Sequence, residues 1–194
     1  MSAQARLVEE NLVYKIKDQE FEGFVAYDTR FKNKMPGVLV VHDWMGITDR
    51  TRDEVRGLAK SGHIAFAADI YGKGVRPKDS KEAGALAGKY KADRKLFREH
   101  LNAALDSLKN HKAVNPSKVA AIGFCFGGTG VLELARSGAP VVGVVSFHGG
   151  LDAPSSQDAK NIKGRVLALH GAIDPFVKEE DLKAFELEMQ NANV

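Results

Sequence analysis

Cysteine is almost absent from this chain: Cys125 stands alone among 194 residues. An intrachain disulfide is therefore impossible, and a four-cysteine zinc knuckle is excluded with it. No charge of one sign dominates either. Twenty-eight Lys and Arg against 25 Asp and Glu leave a net +3, and both signs are interspersed from Arg6 to Glu188, with no basic block to suit nucleic acid. No run approaches the roughly 18 apolar residues of a membrane span, and Arg6, Glu9 and Glu10 leave no room for an apolar leader core near the N-terminus. The expectation is a cytoplasmic chain without a membrane partner. No linker, repeat or low-complexity tract is legible. At 44% hydrophobic and 27% charged residues, the composition is that of a globular domain, so residues 1–194 are expected to form one domain around one sizeable core.

What is present is a change of rhythm along the chain. Residues 11–16 and 20–27 alternate apolar and polar side chains around Lys17-Asp18-Gln19, which predicts an antiparallel hairpin with one solvated face. The apolar runs at 37–42, 64–69, 118–124, 141–147 and 165–170 do not alternate, as expected of strands buried on both faces. Between them, helical spacing covers 49–61, a pair within 80–111, 128–136 and 179–190. In the last of these, Leu182, Phe185, Leu187 and Met189 are expected on one side, with acidic residues in the first turn to suit the helix dipole. Asn115-Pro116-Ser117 marks a turn into the third parallel strand, 152–158 reads as a polar loop, and 191–194 resembles the approach to a further strand. Strand and helix in alternation predict an α/β fold: a mostly parallel sheet with an N-terminal antiparallel hairpin and helices on both faces.

The most informative segment runs from Lys118 to Arg136, where a buried strand passes through Gly123-Phe-Cys125-Phe-Gly127 directly into a helix. Strand, tight turn and helix around Gly-x-nucleophile-x-Gly form a nucleophile elbow, with cysteine in place of serine. The flanking glycines let backbone pack closely while residue 125 occupies a strained turn at the strand end. The helix N-terminus would favour a thiolate and offer backbone N–H groups to a developing oxyanion. A cysteine buried as a small hydrophobe is the plain alternative. Thr129 stands where a phosphate loop needs lysine, and Glu133 where a dinucleotide fingerprint needs its third glycine.

In an elbow enzyme the acid follows the nucleophile at a later strand end, and a histidine follows the acid. Asp174, after the run 165–170, fits the acid and would orient an imidazole. The histidine has no such candidate: His42, His63, His100, His111, His148 and His170 all precede Asp174. His170 lies only four residues before Asp174 and suits bracing the loop better than acting as base, and His42 is the next candidate.

These residues resemble the dienelactone hydrolase family, cysteine-dependent members of the α/β-hydrolase fold. The resemblance rests on five blocks in order: Gly37 to Gly46 with His42-Asp43-Trp44, Ala68 to Gly74 with Asp69 and Tyr71, Ile122 to Gly128 around Cys125, Ser146 to Gly150, and Leu169 to Phe176 with His170 and Asp174. It implies Cys125 as nucleophile and Asp174 as triad acid. It implies Asp43 as the acidic residue, commonly glutamate, that shares the thiol's proton, and the backbone N–H groups of Trp44 and Phe126 as the oxyanion hole. Arg76 and Tyr71 are candidates for binding a substrate carboxylate. The family's histidine lies on a loop beyond one more strand, and a last helix closes its sheet. Their lack before Val194 implies a C-terminally incomplete domain whose arginine-to-histidine strand, 165–170, is an exposed apolar edge. The expected activity is hydrolysis of small carboxylate-bearing esters or lactones through an acyl-enzyme, with no metal or organic cofactor. The competing expectation is a catalytically incomplete binding module. Oligomeric state is left open.

Overall fold

Alternation near the N-terminus does produce a hairpin. In this computed structural model, which describes residues 7–194, β1 (Leu7–Ile16) and β2 (Gln19–Asp28) pair antiparallel along their whole length. Lys17, at φ 54, and Asp18 close the tight turn, the left-handed conformation that two-residue hairpins use. Residues 1–6, where no leader was expected, lie outside the described residues.

The parallel strands are β3 (Met35–Val41), β4 (Ile64–Ala68), β5 (Val114–Phe124), β6 (Gly143–Phe147) and β7 (Arg165–Leu169). The sheet order is β1-β2-β4-β3-β5-β6-β7. The hairpin joins antiparallel to β4 through β2, and every pairing from β4 to β7 is parallel. The mixed α/β architecture is thus as expected, with local differences. The turn at Asn115-Pro116-Ser117 is a bulge inside β5, because Pro36 pairs with Asn115 and Gly37 with Val119. Asn115 Oδ1 accepts from the Ser117 N–H at 3.1 Å and stabilises that bulge. The polar loop after β6 contains a 3-10 turn, Ser156–Asn161, capped by Ser155.

The helices are α1 (Asp49–Lys60), α2 (Ser80–Ala92), α3 (Arg94–Lys109), α4 (Phe126–Arg136) and α5 (Glu179–Ala192). Asp79 and Asp93 cap α2 and α3 by accepting from Glu82 and Leu96 N–H, each at 2.9 Å. On one face, Val55 and Ala59 of α1 pack on Phe24, Ala26, Val38, Val40, Ala65 and Ala67. On the other face, α2, α3, α4 and α5 contribute Tyr90, Phe97, Leu101, Leu105, Val131, Leu134 and Phe185 to the larger core.

Three expectations are corrected. First, β6 and β7 are not buried on both faces; burial alternates along each. The side chains on the α1 face have no helix over them among the described residues, and Leu167 and Leu169 are 51% and 45% exposed. The apolar run reflects composition on both sides of the strand, but only one side is covered. Second, Leu187 lies outside the buried side of α5, where Phe185, Glu188 and Met189 turn inward. Spacings of three and four keep one helix face, whereas Leu187 is two positions from Phe185. Third, Asn191 and Ala192 are the last helical residues, not a strand approach. Asn193, at φ 58, ends α5, with its own N–H on the Gln190 carbonyl and Val194 N–H on the Met189 carbonyl at 3.0 Å, the paired bonds of a Schellman motif.

The bare side of β7 carries a measurable consequence. Leu167→Lys is expected to reduce concentration-dependent self-association, since a charged edge strand resists pairing with another chain. Light scattering over a concentration series checks this, and equal association in both proteins would count against it.

Candidate active site

The carboxyl ends of the parallel strands converge on Cys125. It caps α4 at φ 55, ψ −113, a left-handed conformation unusual for a residue with a side chain. Two hydrogen bonds hold it there: its N–H donates to the Phe147 carbonyl at 2.9 Å, and its carbonyl accepts from Thr129 N–H at 3.2 Å. The residue as a whole is half-buried. The neighbouring glycines are required by contact. A Cβ on Gly123 would sit 2.0 Å from the Gly127 carbonyl oxygen, and one on Gly127 would sit 2.2 Å from that of Val41. Both lie far inside van der Waals contact, so the sharp turn from β5 into α4 exists only without side chains there.

That close approach brings the end of β3 against the first turn of α4. Beyond β3, residues 43–46 form a tight turn. The Asp43 carbonyl accepts from Gly46 N–H at 3.3 Å and faces His42 Nδ1. Asp43 Oδ1 accepts from Met45 N–H at 2.8 Å, and the Trp44 carbonyl accepts from the Tyr71 hydroxyl at 2.9 Å. The Trp44 and Phe126 N–H groups have no hydrogen bond among the described residues. The Phe126 ring is buried against those of His42, Tyr71 and Phe97, while the Trp44 ring is 39% exposed.

Tyr71 and Arg76, considered for substrate binding, are both engaged within the protein. Tyr71 is buried, and desolvation first, then the charges of Asp43, Tyr90 and Cys125, push its phenol far above the usual range. Arg76 donates to the Val75 carbonyl at 2.7 Å and lies 3.6 Å from the buried Asp69 carboxylate. Asp69 itself accepts from Glu22, Tyr71 and Gly72 N–H groups at 3.0 to 3.3 Å. It organises the loop after β4, a role that the sequence signals only through a charged residue ending a wholly apolar strand.

Asp174 lies on the loop at the carboxyl end of β7. β7 is two strands from β5 in the sheet, and Asp174 lines a cleft of about 270 Å³ with His170, Ile173 and Lys178. Asp174 Oδ1 accepts from Phe176 N–H at 2.8 Å. No imidazole bonds this carboxylate among the described residues. His42 is poorly suited as base: it is buried, and its Nε2 accepts from Ile70 N–H at 3.4 Å while Nδ1 faces the Asp43 carbonyl. His100 is buried on the Ile70 carbonyl at 2.9 Å, and His63 and His111 bond Ser61 and Glu10. His170 Nδ1 is buried without a partner. His148 is exposed at φ 43, its N–H on the Leu169 carbonyl. Nothing in the residue pattern marks His148 as a left-handed residue.

Burial holds the imidazoles of His42 and His100 below the ordinary histidine range, outweighing the carbonyls that face them. An unfolded imidazole titrates near about 6.5. Below that pH the unfolded state binds more protons than the folded one, so stability is unaffected above it and falls as pH drops toward the depressed folded values. His42→Gln is expected to show a smaller loss of melting temperature between about pH 7.5 and pH 5.5 than the wild type. An equal loss would refute the assignment.

A parallel sheet whose strand enters a helix through a left-handed nucleophile candidate, with helices on both faces, defines an α/β-hydrolase-like protein. Over residues 21–194 the chain matches the dienelactone hydrolase family, and it belongs to that family. A relative from Bradyrhizobium sp., named "Probable 2-oxo-3-(5-oxofuran-2-ylidene)propanoate lactonase", is 31% identical over 87% of this chain and 72% of its own length. "Protein usf" from Aquifex pyrophilus is 30% identical over 76% of this chain and 65% of its own length. The match thus spans about two thirds of these relatives. Among solved structures, a dienelactone hydrolase-like promiscuous phosphotriesterase from metagenomic libraries superposes with a TM-score of 0.93 at 38% identity, covering 97% of this chain and 78% of that one. No helix among the described residues is long and apolar enough to cross a membrane.

Proposed function

We propose that this chain carries the acyl-transfer centre of a cysteine hydrolase acting on small esters and lactones, with Cys125 as nucleophile. The observation that carries the reading is the left-handed Cys125 at the start of α4, whose first turn packs against the end of β3. The thiolate sulfur attacks the carbonyl carbon. As the C–S bond forms, the carbonyl π pair moves to oxygen, where the Trp44 and Phe126 N–H groups stabilise it. Collapse expels the alkoxide, which takes a proton, and water then cleaves the thioester to free acid and thiol. Asp43 is assigned to exchange a proton with the thiol. Asp174 is assigned to orient a histidine base, a role that no hydrogen bond within residues 7–194 fills.

The substrate assigned is a small lactone bearing a carboxylate, supported by family membership and by the carboxylate-bearing furanone in the name of the Bradyrhizobium relative. Activated phosphotriesters are a second class worth an assay arm, since the 38%-identical neighbour is named for them and attack at phosphorus also places charge on an oxygen that amides can hold.

The test does not need the base. At alkaline pH, where a thiol ionises unaided, p-nitrophenyl acetate is expected to release a burst of p-nitrophenol and leave an acetyl group on Cys125, located by peptide mass spectrometry. A folded protein with no adduct, or with the adduct elsewhere, would overturn the reading and favour a binding module of the same fold.

A further inference from the structure

We propose that Tyr71 is a positioning residue for acyl transfer: its hydroxyl, by holding the Trp44 carbonyl, fixes the direction of the Trp44 N–H that receives the oxyanion. This rests on the Cys125 reading above and adds to it the means by which a surface turn becomes a rigid donor.

The argument follows the two peptide planes on either side of the Trp44 Cα. In a trans peptide the C=O and the following N–H point in opposite directions. The plane that carries the Trp44 N–H has the Asp43 carbonyl at its other end, held by Gly46 N–H at 3.3 Å and facing His42 Nδ1. The next plane is held at both ends: Tyr71 donates to the Trp44 carbonyl at 2.9 Å, and Asp43 Oδ1 takes the Met45 N–H at 2.8 Å. With both planes fixed, the torsions at Trp44 have little freedom, and its N–H is the group left over for a ligand.

The clamp is stiff because Tyr71 is. It is 3% exposed, and its ring packs edge-on to His42 with centroids 4.8 Å apart and against Phe126 at 5.6 Å. Phe126 supplies the second unpartnered N–H, so one aromatic side chain packs on one donor residue and hydrogen-bonds the other. Asp69 holds the Tyr71 backbone in turn, through Tyr71 N–H at 3.3 Å and Gly72 N–H at 3.2 Å. A loop with one long exposed ring would otherwise sample several directions for the same amide. Fixing the donor before the charge develops is what makes it effective.

Tyr71→Phe removes one oxygen and keeps the ring. The acetylation rate of Cys125 by p-nitrophenyl acetate is expected to fall about tenfold to a hundredfold, with the concentration dependence of the burst little changed. Alkylation of Cys125 by iodoacetamide, a displacement at a saturated carbon that builds no oxyanion, is expected to keep its wild-type rate. Tyr90→Phe serves as the control: Tyr90 is a buried neighbour, its ring 5.7 Å from that of Tyr71, and its hydroxyl bonds no backbone of the turn, so acetylation is expected to be unchanged.

Equal acetylation in Tyr71→Phe and wild type overturns the proposal. So does a parallel fall in acetylation and alkylation, which would place the effect on the thiol or on the fold, and so does an equal fall in Tyr90→Phe, which would place it in core packing. Failure of the wild type to acetylate Cys125 at all is a different result and removes the underlying reading.

Discussion

Cys125→Ala is expected to lower the rate of acyl transfer from p-nitrophenyl acetate by at least about a thousandfold relative to the wild-type chain, because it removes the proposed nucleophile. The two backbone amides remain in that variant and can still polarise a bound carbonyl, so a small residual hydrolysis by water is expected, not a return to the solution rate. Cys125→Ser separates position from chemistry. A serine fits the same left-handed turn, but its hydroxyl does not ionise near the alkaline pH that frees a thiol, and no imidazole is bonded nearby to take its proton. It is therefore expected to be nearly as inactive as the alanine variant while melting within a few degrees of the wild type. Comparable burst amplitudes in wild type and Cys125→Ala would show that the burst comes from another nucleophile, such as a surface lysine, and would end the Cys125 assignment.

The elbow was legible because its geometry is written in adjacent residues. Gly123 and Gly127 are needed for contacts at 2.0 and 2.2 Å, and local spacing in sequence marks such a turn directly. The hairpin around Lys17 and the five parallel strands were legible for the same reason, as local patterns of alternation or its absence. What the sequence could not display was whether a face is covered. Val145, Leu167 and Leu169 look like buried strand residues by type, yet the cover on that side would come from elements distant in sequence. Nor could it display which polar groups are already engaged. Only the position of the Trp44 carbonyl shows that the Tyr71 hydroxyl is engaged within the protein. His42 is similar: an imidazole at a strand end beside Asp43 resembles a base until the Ile70 N–H is found on its Nε2.

Arg136→Met is expected to destabilise the fold by about 3 to 5 kcal/mol, the usual cost of leaving one member of a buried ion pair without its partner. Arg136 ends α4, is fully buried, and uses all five of its N–H donors. Nε and Nη2 meet the two oxygens of Glu188 at 3.0 and 2.7 Å, Nη1 meets Glu133 at 3.1 Å and the Asp152 carbonyl at 3.2 Å, and Nη2 also meets the Leu151 carbonyl at 3.0 Å. Glu133 would keep Arg98 at 2.8 Å, so the uncompensated charge falls on Glu188, which is 4% exposed in the interior side of α5. This pairing explains why a glutamate takes the place on that helix where a leucine was expected. Against a total stability of about 5 to 15 kcal/mol, the loss is large enough to read from a shift in the urea midpoint at unchanged slope. The double variant Arg136→Met with Glu188→Met is expected to recover much of it, because no charge is then buried alone. A single variant within about 1 kcal/mol of wild type would mean that the network is better hydrated than its burial implies. The effect is also expected to reach the other end of the same helix. α4 is 11 residues long, about 16 Å at 1.5 Å per residue, and carries Cys125 at its start. Anchoring its last residue to α5 and to the loop after Gly149-Gly150 holds in place the helix on which the nucleophile's strained turn depends. The Cys125 alkylation rate in Arg136→Met, measured well below its melting temperature, is the reading of that coupling.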